Sequence, residues 1–218
     1  MPDGRALFGR SVTLVPAVAA HHGRDLHDCF AATDPKGEIW TYMGYGPFAG
    51  HEAFETWLTG CEASRDPLFY AIVPRTSGKA EGMAAFMRME PAHGVAEIGN
   101  IWMAPPLQKT RAATEALYLM MRHTLGELGC RRLEWKCDAL NAASRKAADR
   151  LGFKFEGIFE QHYVIKGRNR DTAWFAMLDR DWPALQEAYA AWLTDENFDA
   201  DGGQRQPLSS FIETAGGN

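Results

Sequence analysis

Apolar positions recur along this chain with two periods, and the switches between them divide it into short strands and helices. The first alternation is Arg10 to Pro16, where Val12 and Leu14 interleave with Ser11 and Thr13 and Pro16 ends the strand. From Ala17 to Ala32, Val18, Leu26, Cys29 and Phe30 suit a helix that Thr33-Asp34-Pro35 and Gly37 stop. Ile39 to Phe48 fits neither period and reads as an aromatic loop. Helical spacing returns over His51 to Ala63, with Phe54, Trp57, Leu58 and Cys61 on one stripe. Strands follow at Pro67 to Pro74, Lys79 to Met89 and Val95 to Met103. The turn sequences Arg75-Thr76-Ser77-Gly78 and Pro91-Ala92-His93-Gly94 between them predict an antiparallel meander.

Pro105-Pro106 closes the third of these strands, and a long helix runs from about Ala112 to Leu128, with Gly129 as its C′ residue. Arg132 to Asp138 alternates Leu133, Trp135 and Cys137 with Arg132, Glu134, Lys136 and Asp138, the pattern of a strand with one wet face. Asn141 is a good N-cap for a helix Ala142 to Leu151 that Gly152 closes. Phe153 to Ile165 and Thr172 to Leu178 are strands around the basic turn Lys166-Gly167-Arg168-Asn169-Arg170. Asp181-Trp182-Pro183 opens a last helix to Leu193. Thr194 to Asn218 is polar, carries Gly202-Gly203 and Gly216-Gly217, and reads as a loosely docked tail. The sheet draws on both halves of the chain, so residues 5–193 are expected to form a single domain and 194–218 a polar C-terminal tail.

Composition narrows the options. The 218 residues carry a formal charge of −5, with 46% hydrophobic and 11% aromatic positions, enough for a packed core. Arg131-Arg132 and the 166–170 turn are two short basic patches without an RNA-binding motif, so no nucleic-acid partner is expected. Cys29, Cys61, Cys130 and Cys137 show no zinc spacing, and the seven histidines form no ligand set, so no metal is expected and a reducing cytoplasm is the simplest setting. The N-terminus lacks the basic and apolar regions of a signal peptide. The apolar run Ala116 to Met121 is far short of the roughly 20 residues that cross a bilayer, so no membrane association is expected.

Two stretches carry candidate chemistry. In Glu97 to Ala113, EIGNIWMAPPLQKTRAA, a strand runs through a proline-marked loop into the start of the longest helix. Such an end leaves N–H groups free in a positive dipole field, and Lys109 and Arg111 add charge, so it suits an anion such as phosphate. The alternative is that Thr110 caps the helix and the cations are solvated. In Trp135 to Phe153, WKCDALNAASRKAADRLGF, a strand leads to Asn141 and Ser144 in the first turn of a helix and then to Leu151-Gly152-Phe153. Alone it is a capped helix between strands.

Together and in this order, Gln108 to Ala113, the long helix, the strand, and N-x-x-S followed seven residues on by L-G-F resemble the acetyl-CoA-binding core of the GNAT superfamily of N-acetyltransferases. LFGRSVTLVPA and RLGFKFEGIFEQHYVIKGRNRDTAWFAM resemble more narrowly the branch of ribosomal-protein N-terminal alanine acetyltransferases (RimJ/RimL-like), over about residues 5 to 183. The resemblance implies an α/β (α+β) fold: a mixed, mostly antiparallel twisted sheet of about seven strands, flanked by helices and splayed between its fourth and fifth strands.

It also implies site residues. The family's pyrophosphate arm usually reads Q/R-x-x-G-x-G/A. Gln108 matches its first position and Ala113 its last, with Lys109, Thr110 and Ala112 between, while Arg111 replaces a glycine that lets backbone approach phosphate. Either Arg111 keeps a helical backbone and binds phosphate through its guanidinium, or cofactor affinity is reduced; the first is preferred because Arg offers forked donors. Backbone groups of Asn100, Ile101, Trp102 and Met103 would bond the pantetheine and the thioester carbonyl. Asn141 would contact the pantetheine arm and Ser144 would lie near the thiol. Many members carry an acid tyrosine four residues before the glycine of L-G-F; here that position is Ala148, which excludes tyrosine acid catalysis.

The implied reaction is direct attack of an amine on acetyl-CoA. An acceptor ammonium, with pKa ~10 for a lysine-like or ~8 for an α-amino group, must first lose a proton, whereas a thiolate of free-thiol pKa ~8.5 leaves with little help. Glu97 is the candidate base, acting through water, and a cross-strand ion pair is its alternative. Ser144 is the candidate acid in place of the absent tyrosine. Trp40, Tyr42, Tyr45 and Phe48 would form the acceptor wall, with a buried core cluster as the competing account. The expected partners are acetyl-CoA and a primary amine, on a small molecule or a protein N-terminus, and the late strands and C-terminal helix could support a homodimer. The alternative function is a catalytically weak acyl-CoA-binding sensor.

Overall fold

The structure, a computed structural model, describes residues 1–216; Gly217 and Asn218, the end of the expected tail, lie outside the described residues. Two compact units are formed, one by Met1–Met89 with Ile98–Met120, the other by Glu90–Glu97 with the residues from Met121 onward.

In the first unit, β1 (Leu7–Phe8), β2 (Val12–Pro16), β3 (Leu68–Pro74) and β4 (Gly82–Glu90, which ends one residue beyond the unit) pair antiparallel in sequence order. β1 has no counterpart in the sequence reading, because two residues are too few to show a period; Leu7 opposite Leu14 fixes its register. Helices α1 (Ala19–Thr33) and α2 (His51–Ala63) follow the apolar stripes that predict them. Their Leu26, Phe30, Phe54, Leu58 and Cys61 meet Phe69, Ala71, Met83 and Trp102 in one buried cluster. β5 (Val95–Met103) and α3 (Arg111–Met121) complete this part of the chain.

The second unit begins with the first residues of β5, which lie parallel to β6 (Arg132–Asp138) with Val95 opposite Arg132 and Glu97 opposite Glu134. After α4 (Ala142–Arg150), β7 (Lys154–Ile165) and β8 (Arg168–Leu178) form an antiparallel hairpin, and β8 pairs antiparallel with β6. The sheet is therefore mixed and has eight strands, in the order β1-β2-β3-β4-β5-β6-β8-β7. α3 does not stay α-helical to Leu128: Arg122–Glu127 winds as a π-helix whose Leu128 N–H bonds His123 O at 3.0 Å. Gly129 is left-handed, with φ 65°, as a C′ glycine should be. α5 (Trp182–Trp192) closes on Leu151, whose carbonyl accepts from the Tyr189 hydroxyl at 3.0 Å.

The stretch expected to be a loose tail is ordered: a helical turn at Asp195–Asn197 precedes α6 (Leu208–Gly216), and Leu208 is wholly buried. Among the described residues no helix is long and apolar enough to cross a membrane.

Candidate functional site

The first unit holds the loop into α3. Inside β5, Asn100 takes a φ of 50°, a left-handed conformation that asparagine tolerates better than most residues. That conformation breaks the pleat just where backbone groups were expected to serve a ligand, and Gly99, Asn100, Ile101 and Met103 are half-exposed. Trp102 between them is buried in the aromatic cluster, so only its backbone is available. Gln108 donates from Nε2 to Met103 O at 2.8 Å, tying the loop back to the strand end. Thr110 caps α3: its hydroxyl donates to Leu107 O at 2.7 Å and accepts from Ala113 N at 3.1 Å.

Arg111 opens α3 with helical backbone, as the preferred reading of this position required. The left-handed residue of the loop is Lys109, φ 62°, so the conformation a glycine would ease falls two residues earlier. Lys109 is exposed and Arg111 and Ala112 are half-buried at the positive end of the helix.

In the second unit the polar side of β6 is not wet. Glu97 and Lys136 have side chains only 3% and 7% exposed, and Lys136 Nζ stands 2.8 Å from Glu97 and 2.7 Å from Glu134. The ion pair weighed against a catalytic Glu97 is thus present. The ammonium also sits 3.9 Å above the centre of the Trp174 ring. Arg132 continues the row, donating to Glu134 at 2.7 Å and to Glu156 at 2.9 Å. Hydrogen bonding to Glu156, opposed by burial, raises the Arg132 pKa. Burial pushes the Glu134 carboxyl up, but the hydrogen bonds from Lys136 and Arg132 outweigh it and leave it lowered.

Register places Trp174 opposite Lys136 and Thr172 opposite Asp138. Trp174 Nε1, Thr172 Oγ1 and Arg170 Nε, at alternate positions of β8, are buried without a hydrogen-bond partner among the described residues. Such atoms are the ones a bound polar group would satisfy. Sequence reading overlooked Lys136, Trp174 and Thr172. Their signal was present, since four charges at alternate positions of a short strand need counter-charges, but choosing partners requires register.

Asn141 caps α4 as expected, its Oδ1 accepting from Ser144 N at 3.0 Å. The Ser144 hydroxyl accepts from Trp135 Nε1 at 3.0 Å. Burial pushes the Cys137 thiol up, and a hydrogen bond from Ser144 partly offsets this.

The aromatic loop needs a correction. Trp40 is 1% exposed and packs edge-on against Phe30 and Phe48, so it is core rather than acceptor wall. Tyr42, Tyr45 and Phe48 are half-exposed, although Tyr45 and Phe48 also stack on Trp57 with ring centres 4.4 and 5.2 Å away. Burial raises the Tyr45 phenol well above its ordinary pKa.

Comparison with known proteins follows the same lines. Residues 12–154 match the acetyltransferase (GNAT) domain family. A GCN5-related N-acetyltransferase from Brucella melitensis is similar in structure, with 46% identity, a TM-score of 0.94, and coverage of 97% of this chain and 96% of that one. A structure from Chromobacterium violaceum, described as a probable acetyltransferase of the GNAT family, shares 42% identity over 84% of this chain and 90% of its own, with a TM-score of 0.78. The uncharacterized N-acetyltransferase p20 of Bacillus licheniformis is 26% identical over 118 residues, 52% of this chain and 63%, less than two thirds, of its own length.

Proposed function

The chain belongs to the GNAT acetyltransferase family and is an N-acetyltransferase, and from that premise we propose that it uses acetyl-CoA to acetylate a primary amine of a small molecule or a protein N-terminus. One observation carries the proposal: Asn100 turns β5 out of its pleat and Gln108 ties the strand end to a loop that delivers Thr110 and Arg111 to the start of α3. Those residues fit the group. Bound there, acetyl-CoA would supply an activated thioester carbonyl.

Backbone groups of Asn100 to Met103 would hold the pantetheine and the carbonyl. The first-turn amides from Lys109 to Ala113, with the Arg111 guanidinium, would neutralise the pyrophosphate. Asn141 would orient the pantetheine from α4. Glu97, through water, would take the proton from the acceptor ammonium. Ser144, whose hydroxyl accepts from Trp135 Nε1, would donate to the departing thiolate. Amine binding would draw on Tyr42, Tyr45 and Phe48, and the resemblance to RimJ/RimL-like enzymes favours an N-terminal amine. Four free cysteines support a cytoplasmic setting. The exposed Phe159 and Val164 of β7 support a homodimer.

The test is calorimetric titration of acetyl-CoA followed by a free-thiol release assay against a panel of amines and short peptides. Saturable binding with amine-dependent thiol release is expected, and the productive acceptors separate small molecules from N-termini. Binding without release from any acceptor would favour the sensor, and no binding would overturn the assignment of the α3 arm.

A further inference from the structure

The second unit contains an open cavity of about 400 Å³ that the acetyl-transfer reading does not use. Its walls come from His93 at the end of a tight turn, from Arg131 and Arg132 at the start of β6, and from Asp179 and Arg180 after β8. Backbone bonds fasten the three segments: Arg131 N and Arg132 N both donate to Gly94 O, at 2.9 and 3.3 Å, and Asp179 N donates to Arg131 O at 3.1 Å. Gly94 has a φ of 62°, and a Cβ there would come within 3.3 Å of Arg131 Cγ, so glycine is what allows the turn to lie against Arg131.

The charge of this cavity opposes that of the molecule. Asp179 is the acid in its walls, and its Oδ1 is already accepting from Arg180 N at 2.8 Å. Arg132 is held by Glu134 and Glu156. Arg131 and Arg180 are exposed, and neither enters an ion pair among the described residues. Two uncommitted guanidinium groups therefore converge, with His93 beside them, in a protein of net charge −5.

We infer that this cavity binds a small polyanion, a phosphorylated or polycarboxylate compound, gripped between Arg131 and Arg180 with His93 at the rim. The volume lies within the roughly 300–1,000 Å³ of small-molecule sites. Arginine forks match the paired oxygens of phosphate and carboxylate, and weak guanidinium hydration lowers the cost of stripping water from them. The site is separate from the α4 cap in the same unit. Arg132 and Asp138 stand at opposite ends of β6, about 20 Å apart at strand rise, and Asn141 and Ser144 follow Asp138.

The test is calorimetric titration of inorganic pyrophosphate, and separately of citrate, into the full chain in saturating coenzyme A, which occupies the anion site proposed at α3. Wild type is expected to bind at least one probe at one remaining site. Arg131→Ala/Arg180→Ala is expected to weaken that binding about tenfold or more, the loss of a charged hydrogen bond, with an unchanged melting temperature because both residues are exposed. The control Lys36→Ala/Arg205→Ala removes equal charge elsewhere and is expected to bind like wild type. No binding of either probe, equal binding by the Arg131/Arg180 variant, or equal weakening in the control would each overturn the inference. Which probe binds separates phosphoryl from carboxylate ligands. The variants report on the cavity whether or not coenzyme A binds, so failure of the transferase reading would be seen apart from failure of this one.

Discussion

Glu97 meets Lys136 at 2.8 Å with both side chains almost wholly buried, and Lys136 holds Glu134 as well. Removing Lys136 would leave two carboxylates without their shared cation, a change that costs about 3–5 kcal/mol at a buried pair. Glu97→Gln is milder, because Lys136 keeps Glu134. That asymmetry makes Glu97→Gln the variant that separates base from strut. As a base, Glu97 should show a kcat reduced by about 10² or more with the Kd for acetyl-CoA unchanged. A kcat close to that of wild type, measured by thiol release, would leave the carboxylate with only its structural role. Residues whose role is local were legible in the sequence: Asn141 and Thr110 cap helices because the bond each makes lies three residues away. Lys136 was not, since its partners are set by a strand pairing that alternation does not reveal. Trp40 misled for a related reason, as an aperiodic aromatic segment can fold inward or outward with equal economy of pattern.

β6 shows the same limit for a whole element. Its alternation identified the strand and its core face correctly, with Leu133, Trp135 and Cys137 buried. The opposite face was expected to be wet, yet Glu97 beside it and Trp174 across from it cover the charges. Helices with a clear stripe were equally legible, and His51–Ala63 begins and ends where its apolar spacing puts it. The π-helical end of α3 was not, because a five-residue hydrogen-bond step leaves the apolar pattern almost unchanged. The covered row has a pH signature. Glu134 and Glu156 both titrate below the ordinary value of 4.5, so the folded chain binds fewer protons than the unfolded chain as acid is added. Their stabilisation is complete above about pH 4.5 and is lost as pH falls through the lowered folded values. Glu134→Gln is therefore expected to melt at a lower temperature than wild type at neutral pH and to lose less on acidification. Melting curves from pH 7 to 3 that stay parallel for the two proteins would show that burial, which acts with the opposite sign, cancels the hydrogen bonds at this carboxylate.

For the molecule as a whole, the part least legible in the sequence was its C-terminal end. Thr194 to Gly216 looks polar because its contacts fall on few positions. Asn197 is 6% exposed and works as a clasp: its Nδ2 donates to Trp192 O at 3.1 Å and Gln206 O at 3.2 Å, and its Oδ1 accepts from Gln206 N at 2.9 Å. Trp192 Nε1 donates to Gln204 at 3.0 Å, and Phe198 packs edge-on against the Trp192 ring. Leu208 anchors α6, and Ile212 reaches to within 3.7 Å of where a Cβ on Gly152 would stand, so this segment supports the L-G-F turn after α4. A chain ending at Leu193 would lose the burial of Leu208, worth about 1.5–3 kcal/mol, and would strip Trp192 of bonds worth about 1–3 kcal/mol to leave unmade. With native stabilities near 5–15 kcal/mol, that is a large share. Urea unfolding of the shortened chain is thus expected to show a midpoint well below that of the full chain, with a smaller slope because less surface is exposed on unfolding. An unchanged midpoint would place the folding boundary at residue 193 and leave α6 as an appendage to an already complete domain.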